Sequence, residues 1–155
     1  MCVDRTRKDV LQLLSASFGI EPPDIAHLRF AERKEDIWAS SASAALDLAS
    51  QRMPGLRAFR RTPQGLKPTS AFLVCIAPLL RKGVVRLGRD DTRALLLGRH
   101  LEADANDGFI ALALEDDVIG CGRAGGGRVT TLIPTGRRRE LLEALERPPS
   151  KIANL

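Results

Sequence analysis

The sequence predicts an α+β chain in two parts, a small α/β segment over residues 1–66 and a small β barrel with short helices over 67–147, followed by a polar tail over 148–155. Three observations carry this reading. Apolar residues recur at helical spacing near the N-terminus, β-rich runs separated by turn residues follow from Gly108, and the charge balance changes along the chain. Residues 1–54 hold 7 basic and 8 acidic groups while residues 55–155 hold 17 and 11, and the composition shifts near residue 66. At 155 residues and 44% hydrophobic, the chain can bury a real core, which excludes a disordered tail or a fibrous repeat.

The first helix is predicted over 7–17. Thr6 stands as its N-cap with Asp9 three residues on, Val10, Leu11, Leu14 and Phe18 repeat on one face, and Gly19 supplies the stop. After Pro22 and Pro23, the runs 28–31 and 37–39 flank the charged turn Arg33-Lys34-Glu35-Asp36 and read as a hairpin, with Trp38 read as a core anchor in preference to a stacking platform. The Ala- and Ser-rich stretch 41–51 reads as a weak helix. Leu56 to Arg60 alternates apolar and basic residues as a strand does, and Thr62-Pro63-Gln64-Gly65 is a turn. Pro68 suits the first turn of a helix whose buried face is Ala71, Phe72, Cys75, Ile76 and Leu79, weakened at its end by Pro78. A short strand over 84–87 precedes a helix capped by Asp90 or Asp91 and closed by Gly98. Then a three-strand meander is expected: 109–114, 118–123 and 128–133, joined by the acidic turn Glu115-Asp116-Asp117 and by a flexible glycine turn at 125–127. Pro134 ends it, and the Arg137-Arg138-Arg139 run lies in the loop that opens a last helix through Leu145.

No apolar run approaches the roughly 20 residues that a bilayer crossing needs, and Met1 to Lys8 is polar, so a cytoplasmic protein with no membrane partner is expected. Cys2, Cys75 and Cys121 are widely spaced, and His27 and His100 are the only histidines, so neither a zinc site nor a redox pair is expected. Gly120-Cys121-Gly122-Arg123-Ala124-Gly125 matches GxGxxG, and Glu140 falls where a ribose-binding acid would sit. A dinucleotide fingerprint must open a helix, however, because the helix N-terminus holds the pyrophosphate, and here Arg128 to Ile133 reads as a strand. Close backbone approach or a bulge at Gly120 and Gly122 explains those glycines better, and Cys121 between them reads as a packed thiol.

Nineteen of the 24 cations are arginine, which grips phosphate bidentately. An Arg-rich composition and a nucleic-acid surface explain that excess equally well. Lys67, Arg123, Arg128 and Arg137 to Arg139 fall at the ends of elements bordering the inferred barrel and can line one groove.

The order of short motifs is more specific than any one of them. Lys67-Pro68-Thr69, Val84-Val85-Arg86-Leu87, Leu97-Gly98, Gly108-Phe109-Ile110-Ala111-Leu112, Ile119-Gly120-Cys121-Gly122, Gly127-Arg128-Val129 and Ile133-Pro134-Thr135-Gly136-Arg137-Arg138 follow one another in that order. Taken together they resemble the PUA-like RNA-binding region of Sun-family RNA cytosine-5 methyltransferases, and small archaeal proteins built of the same parts. Ile37-Trp38-Ala39 and Gly55-Leu56-Arg57 resemble the segment preceding that region, so the likeness covers residues 28–142. It implies a pre-PUA-like α/β segment, then a PUA-like β-pseudobarrel that binds structured transfer or ribosomal RNA. The catalytic domain of those enzymes, with its S-adenosylmethionine loop and cysteine pair, finds no match here, so a non-catalytic protein without a cofactor is expected.

The resemblance assigns Lys67, Arg123, Arg128, Arg137 and Arg138 to the RNA face; charge adds Arg139, Arg60 and Arg61. The three glycines at 125–127 depart from the family and imply a looser groove edge. With no tyrosine and 4% aromatics, base stacking is expected to be minor and backbone contacts dominant. The expected partners are structured RNA, an RNA methyltransferase or a pre-ribosomal particle, with no DNA. Two other readings stay open: a substrate-recognition subunit of a separately encoded RNA methyltransferase, and a basic module for an acidic protein.

Overall fold

A computed structural model describes residues 2–41 and 55–147 of the chain. The expected weak helix over 41–51 lies outside the described residues except for Ser41, and so does the tail over 148–155.

The N-terminal helix α1 spans Cys2–Phe18 and buries Val10, Leu14 and Phe18 completely along one stripe. It begins before Thr6, which corrects the expected cap. Thr6 is buried within the helix, and its Oγ1 donates to Glu32 Oε2 at 2.7 Å, so the hydroxyl is satisfied by a neighbouring strand instead of by the helix's own N–H groups. Four antiparallel strands follow in sequence order: β1 (Leu28–Arg33), β2 (Asp36–Ser41), β3 (Leu56–Thr62) and β4 (Gly65–Pro68). Pro68 therefore closes a strand, opposite Phe59, and Thr69 caps the next helix by accepting from the Phe72 N–H at 3.2 Å.

That helix, α2 (Ser70–Cys75), is shorter than the sequence predicts because Pro78 forces a separate single turn at Ala77–Leu79. Its buried residues are Phe72 and Leu73, with Cys75 exposed. The second sheet takes strands in the order β5 (Val84–Leu87), β7 (Gly108–Leu114), β8 (Asp117–Gly125), β9 (Arg128–Thr131), β6 (Leu101–Glu102). Only the β5–β7 pairing is parallel, made possible by the crossover through α3 (Arg89–Leu96). Gly88 caps α3; Asp90 and Asp91 lie in its first turn, where they favour the dipole without capping it. The last helix, α4, spans Thr135–Glu146.

Two apolar clusters hold these layers. In the first, α1 and α2 cover one face of the four-stranded sheet, where the rings of Phe30, Phe59 and Phe72 meet at centroid distances of 5.1 to 6.4 Å. Ala111 and Cys121 enter that same cluster from β7 and β8. In the second, Leu95, Leu96 and Leu145 from α3 and α4 pack on Ile110, Leu112, Ala124 and Val129. The central strands β7 and β8 are thus buried on both faces. Trp38, expected as a core anchor, belongs to neither cluster: its neighbours Ile37 and Ala39 point into the first core, so pleating turns the indole to the other face, partly buried.

Arg81 ties the end of α1 to the chain before β5. Its guanidinium donates to both Asp24 carboxylate oxygens, at 2.6 and 3.1 Å, and to the Gly19 carbonyl at 2.8 Å. This pairing holds the Asp24 carboxyl down at about 2. Among the described residues no helix is long and apolar enough to cross a membrane.

The glycines of β8 are a steric requirement. A Cβ on Gly120 would sit 2.5 Å from Ile133 Cγ1 and 2.9 Å from Ser70 Oγ, whereas one on Gly125 would meet nothing within 4 Å. Gly120→Ala is therefore expected to cost about 1–3 kcal/mol and Gly125→Ala close to nothing, as compared by urea unfolding.

Candidate nucleic-acid interface

The strands and helix ends bring some of the predicted basic residues together and separate others. Arg123 on β8 and Arg128 on β9 are exposed diagonal neighbours on one face, because Arg123 pairs with Thr130 and Gly125 with Arg128. The Arg123 guanidinium lies over the Phe109 ring, 5.7 Å from its centroid, which limits its freedom while leaving its N–H groups for an anion. Glu102 of β6 stands opposite Arg128. Gly126 and Gly127, with φ of +60° and +76°, form the two-residue turn between these strands. Two consecutive positive φ values suit the right-handed strand twist, so the hairpin is closed by a tight two-residue turn.

Arg60 and Lys67 form a second pair, directly opposite each other on β3 and β4. Arg60 is 56% exposed and reaches Glu35 at 3.1 Å. Lys67 is partly buried. Burial pushes the Cys121 thiol up to about 12, with the Lys67 charge as a smaller opposing influence, so this cysteine is a protonated core residue at neutral pH.

The Arg137-Arg138-Arg139 run occupies the third to fifth residues of α4 and not a preceding loop. Successive helix positions diverge by about 100°, so the three side chains leave in different directions. Arg137 reaches Glu140 at 2.8 Å, and Arg139 is exposed. Arg138 is partly buried; its Nη2 donates to Thr135 Oγ1 at 3.0 Å, and Nη1 lies against Gly98 at the end of α3, so it clasps two helices. Cations at a helix N-terminus oppose the dipole, and α4 has neither a capping side chain nor an acid in its first turn. Stability alone does not favour this placement.

Arg61 departs from the expected set altogether. It faces α1, where its guanidinium donates to Glu32 and to Asp9 Oδ2, the latter at 3.2 Å, while Thr6 donates to the same Glu32. These contacts hold the Glu32 carboxyl below its ordinary value of 4.5, the Arg61 hydrogen bond being the main cause. Arg61 is a clasp between α1, β1 and β3, an outcome fixed by its position one residue after Arg60 on a pleated strand. Sequence reasoning missed Arg57, which is 52% exposed opposite Trp38; its signal was hidden by the bulge at Ala58 in β3.

Among the described residues no group of three or more His, Cys, Asp or Glu side chains is placed to hold a metal ion. A polar cleft of about 380 Å³ between α1 and β5 is lined by Ser17, Lys82, Asp104 and Asp107. Compared with known proteins, the chain matches no family model and no curated protein.

Two outcomes follow from this geometry. Arg61→Ala is expected to lose about 1 kcal/mol at pH 7; because Glu32 titrates lower in the folded chain, that loss is complete above about pH 4.5 and fades as pH falls through the folded value, read from urea midpoints across pH. At pH 8, iodoacetamide should modify Cys75 and spare Cys121 until the chain unfolds, as mapped by peptide mass.

Proposed function

We propose that the chain is a non-catalytic, PUA-like RNA-binding protein that recognises structured ribosomal or transfer RNA through its basic surface. The observation that carries this reading is the pair Arg123 and Arg128, exposed side by side on one sheet face, the first held in place by Phe109. Arg60 with Lys67, and Arg137 with Arg139 at the start of α4, are further cationic positions. The two-sheet α+β fold, with its five-stranded mixed sheet between helices, is compatible with the pseudobarrel that the sequence resemblance implies. Backbone contacts from arginine position a protein on folded RNA and respond strongly to salt. Such a module would serve ribosome maturation or RNA modification, alone or beside a separately encoded methyltransferase.

Fluorescence anisotropy against total transfer RNA, a ribosomal RNA fragment and a length-matched unstructured strand, each at two salt concentrations, tests this. Tighter, salt-sensitive binding to a structured RNA is expected, and Arg123→Ala or Arg128→Ala should each lower the salt slope by about one. Equal weak binding to all three would overturn it.

A further inference from the structure

The outer face of the four-stranded sheet is built differently from its core face. Cross-strand pairing places Ala31, Trp38 and Arg57 in one row, and Asp36, Arg60 and Lys67 in the next. Arg29 and Arg33 of β1 lie on the same face, flanking Ala31. Arg57 and Arg60, three residues apart, would point to opposite faces of a regular strand. They share a face here because the β2–β3 register shifts between Ile37 and Trp38: Ile37 opposes Phe59, Trp38 opposes Arg57, and Ala58 is the extra residue. Ala58 and Phe59 are both fully buried, so the bulge sends both to the core side and leaves Arg57 in the indole row and Arg60 in the next.

Five cations share the face with this indole by register, Arg29 and Arg33 on β1, Arg57 and Arg60 on β3 and Lys67 on β4, and outnumber the acids there, Asp36 and the turn residue Glu35. Arg57 sits 3.8 Å from Asp36 and Arg60 3.1 Å from Glu35, with both arginine side chains more than half exposed. Exposed pairs of this kind are weak, and a phosphate exchanges for the carboxylate readily. An aromatic ring among arginines is the arrangement that holds single-stranded nucleic acid, where bases stack and cations follow the backbone. Ala31, a small residue, stands opposite Trp38 on β1, and the indole is partly buried.

We infer that this sheet face is a platform for an unpaired nucleotide of RNA, the base stacked on Trp38 and the flanking phosphates held by Arg57 and Arg60. The inference rests on the RNA-binding reading above and adds a second contact surface, so that folded RNA is gripped at Arg123 and Arg128 while an adjacent unpaired base is read at Trp38. Among nucleic acids this selects RNA with a loop or a frayed end over a continuous duplex.

The chain has one tryptophan and no tyrosine, so its intrinsic fluorescence reports Trp38 alone. The full chain is titrated with a short single-stranded oligoadenylate and with an abasic ribose-phosphate oligomer of equal length, following emission and anisotropy together. Saturable quenching by oligoadenylate, binding of the abasic oligomer without quenching, and a roughly tenfold weaker oligoadenylate affinity in Trp38→Ala, largely restored in Trp38→Phe, are expected. Oligoadenylate binding with unchanged emission, or wild-type affinity in a folded Trp38→Ala, overturns the platform; if that variant does not fold, the wild-type titration decides. Structured RNA bound with a silent Trp38 removes the platform only, whereas no binding to any RNA removes the RNA reading with it.

Discussion

The close approach of α2 and the chain after β9 to strand β8 is the constraint on which the rest of the structure depends. The Cys121 N–H donates to Ser70 Oγ at 2.9 Å, and Ile133 occupies the space that a side chain at position 120 would need. Gly122, two residues on along the same face, is equally constrained: a Cβ there would fall 2.8 Å from the Thr130 carbonyl oxygen and 2.9 Å from Leu112 Cγ. Because β7 and β8 are covered on both faces, they carry small residues where layers meet: Ala111, Ala113, Cys121 and Ala124. Large side chains there would separate the helices and open cavities.

This packing joins the two sheets through one apolar cluster that runs from Val10 to Cys121. Arg81 adds a polar tie between the chain after α1 and the start of β5. The cationic surfaces are therefore mounted on rigid strands. Arg123 and Arg128 lie at the hairpin end of β8 and β9, while Arg137 and Arg139 lie on the helix that begins beyond the far end of β9. Folded RNA spanning both would have to follow the length of the sheet.

Much of this was legible in the sequence, for identifiable reasons. The meander after Gly108 showed because β-branched and apolar runs alternate with turn residues, and the close approach at Gly120 and Gly122 followed from glycines inside a strand pattern. Thr6, Pro68 and the arginine run were misread because each residue type has two uses: threonine caps or bridges, proline opens a helix or closes a strand, and arginines suit a loop or a helix turn. Trp38 and Arg61 could not be placed, since which face of a strand a residue occupies depends on register. The bulge at Ala58 shifts that register with no glycine or proline to announce it.

The contact between α1 and β7 has a consequence for synthesis. The helix is complete at Phe18, yet Ala111, which helps to cover its buried stripe, lies some 90 residues later. At the usual ribosomal pace of about 5–20 residues per second, the stripe of Val10, Leu14 and Phe18 waits on the order of ten seconds for its full cover. The four-stranded sheet emerges sooner and shields part of it. The N-terminal helix is thus the element whose protection during translation depends on the rest of the chain arriving without pause.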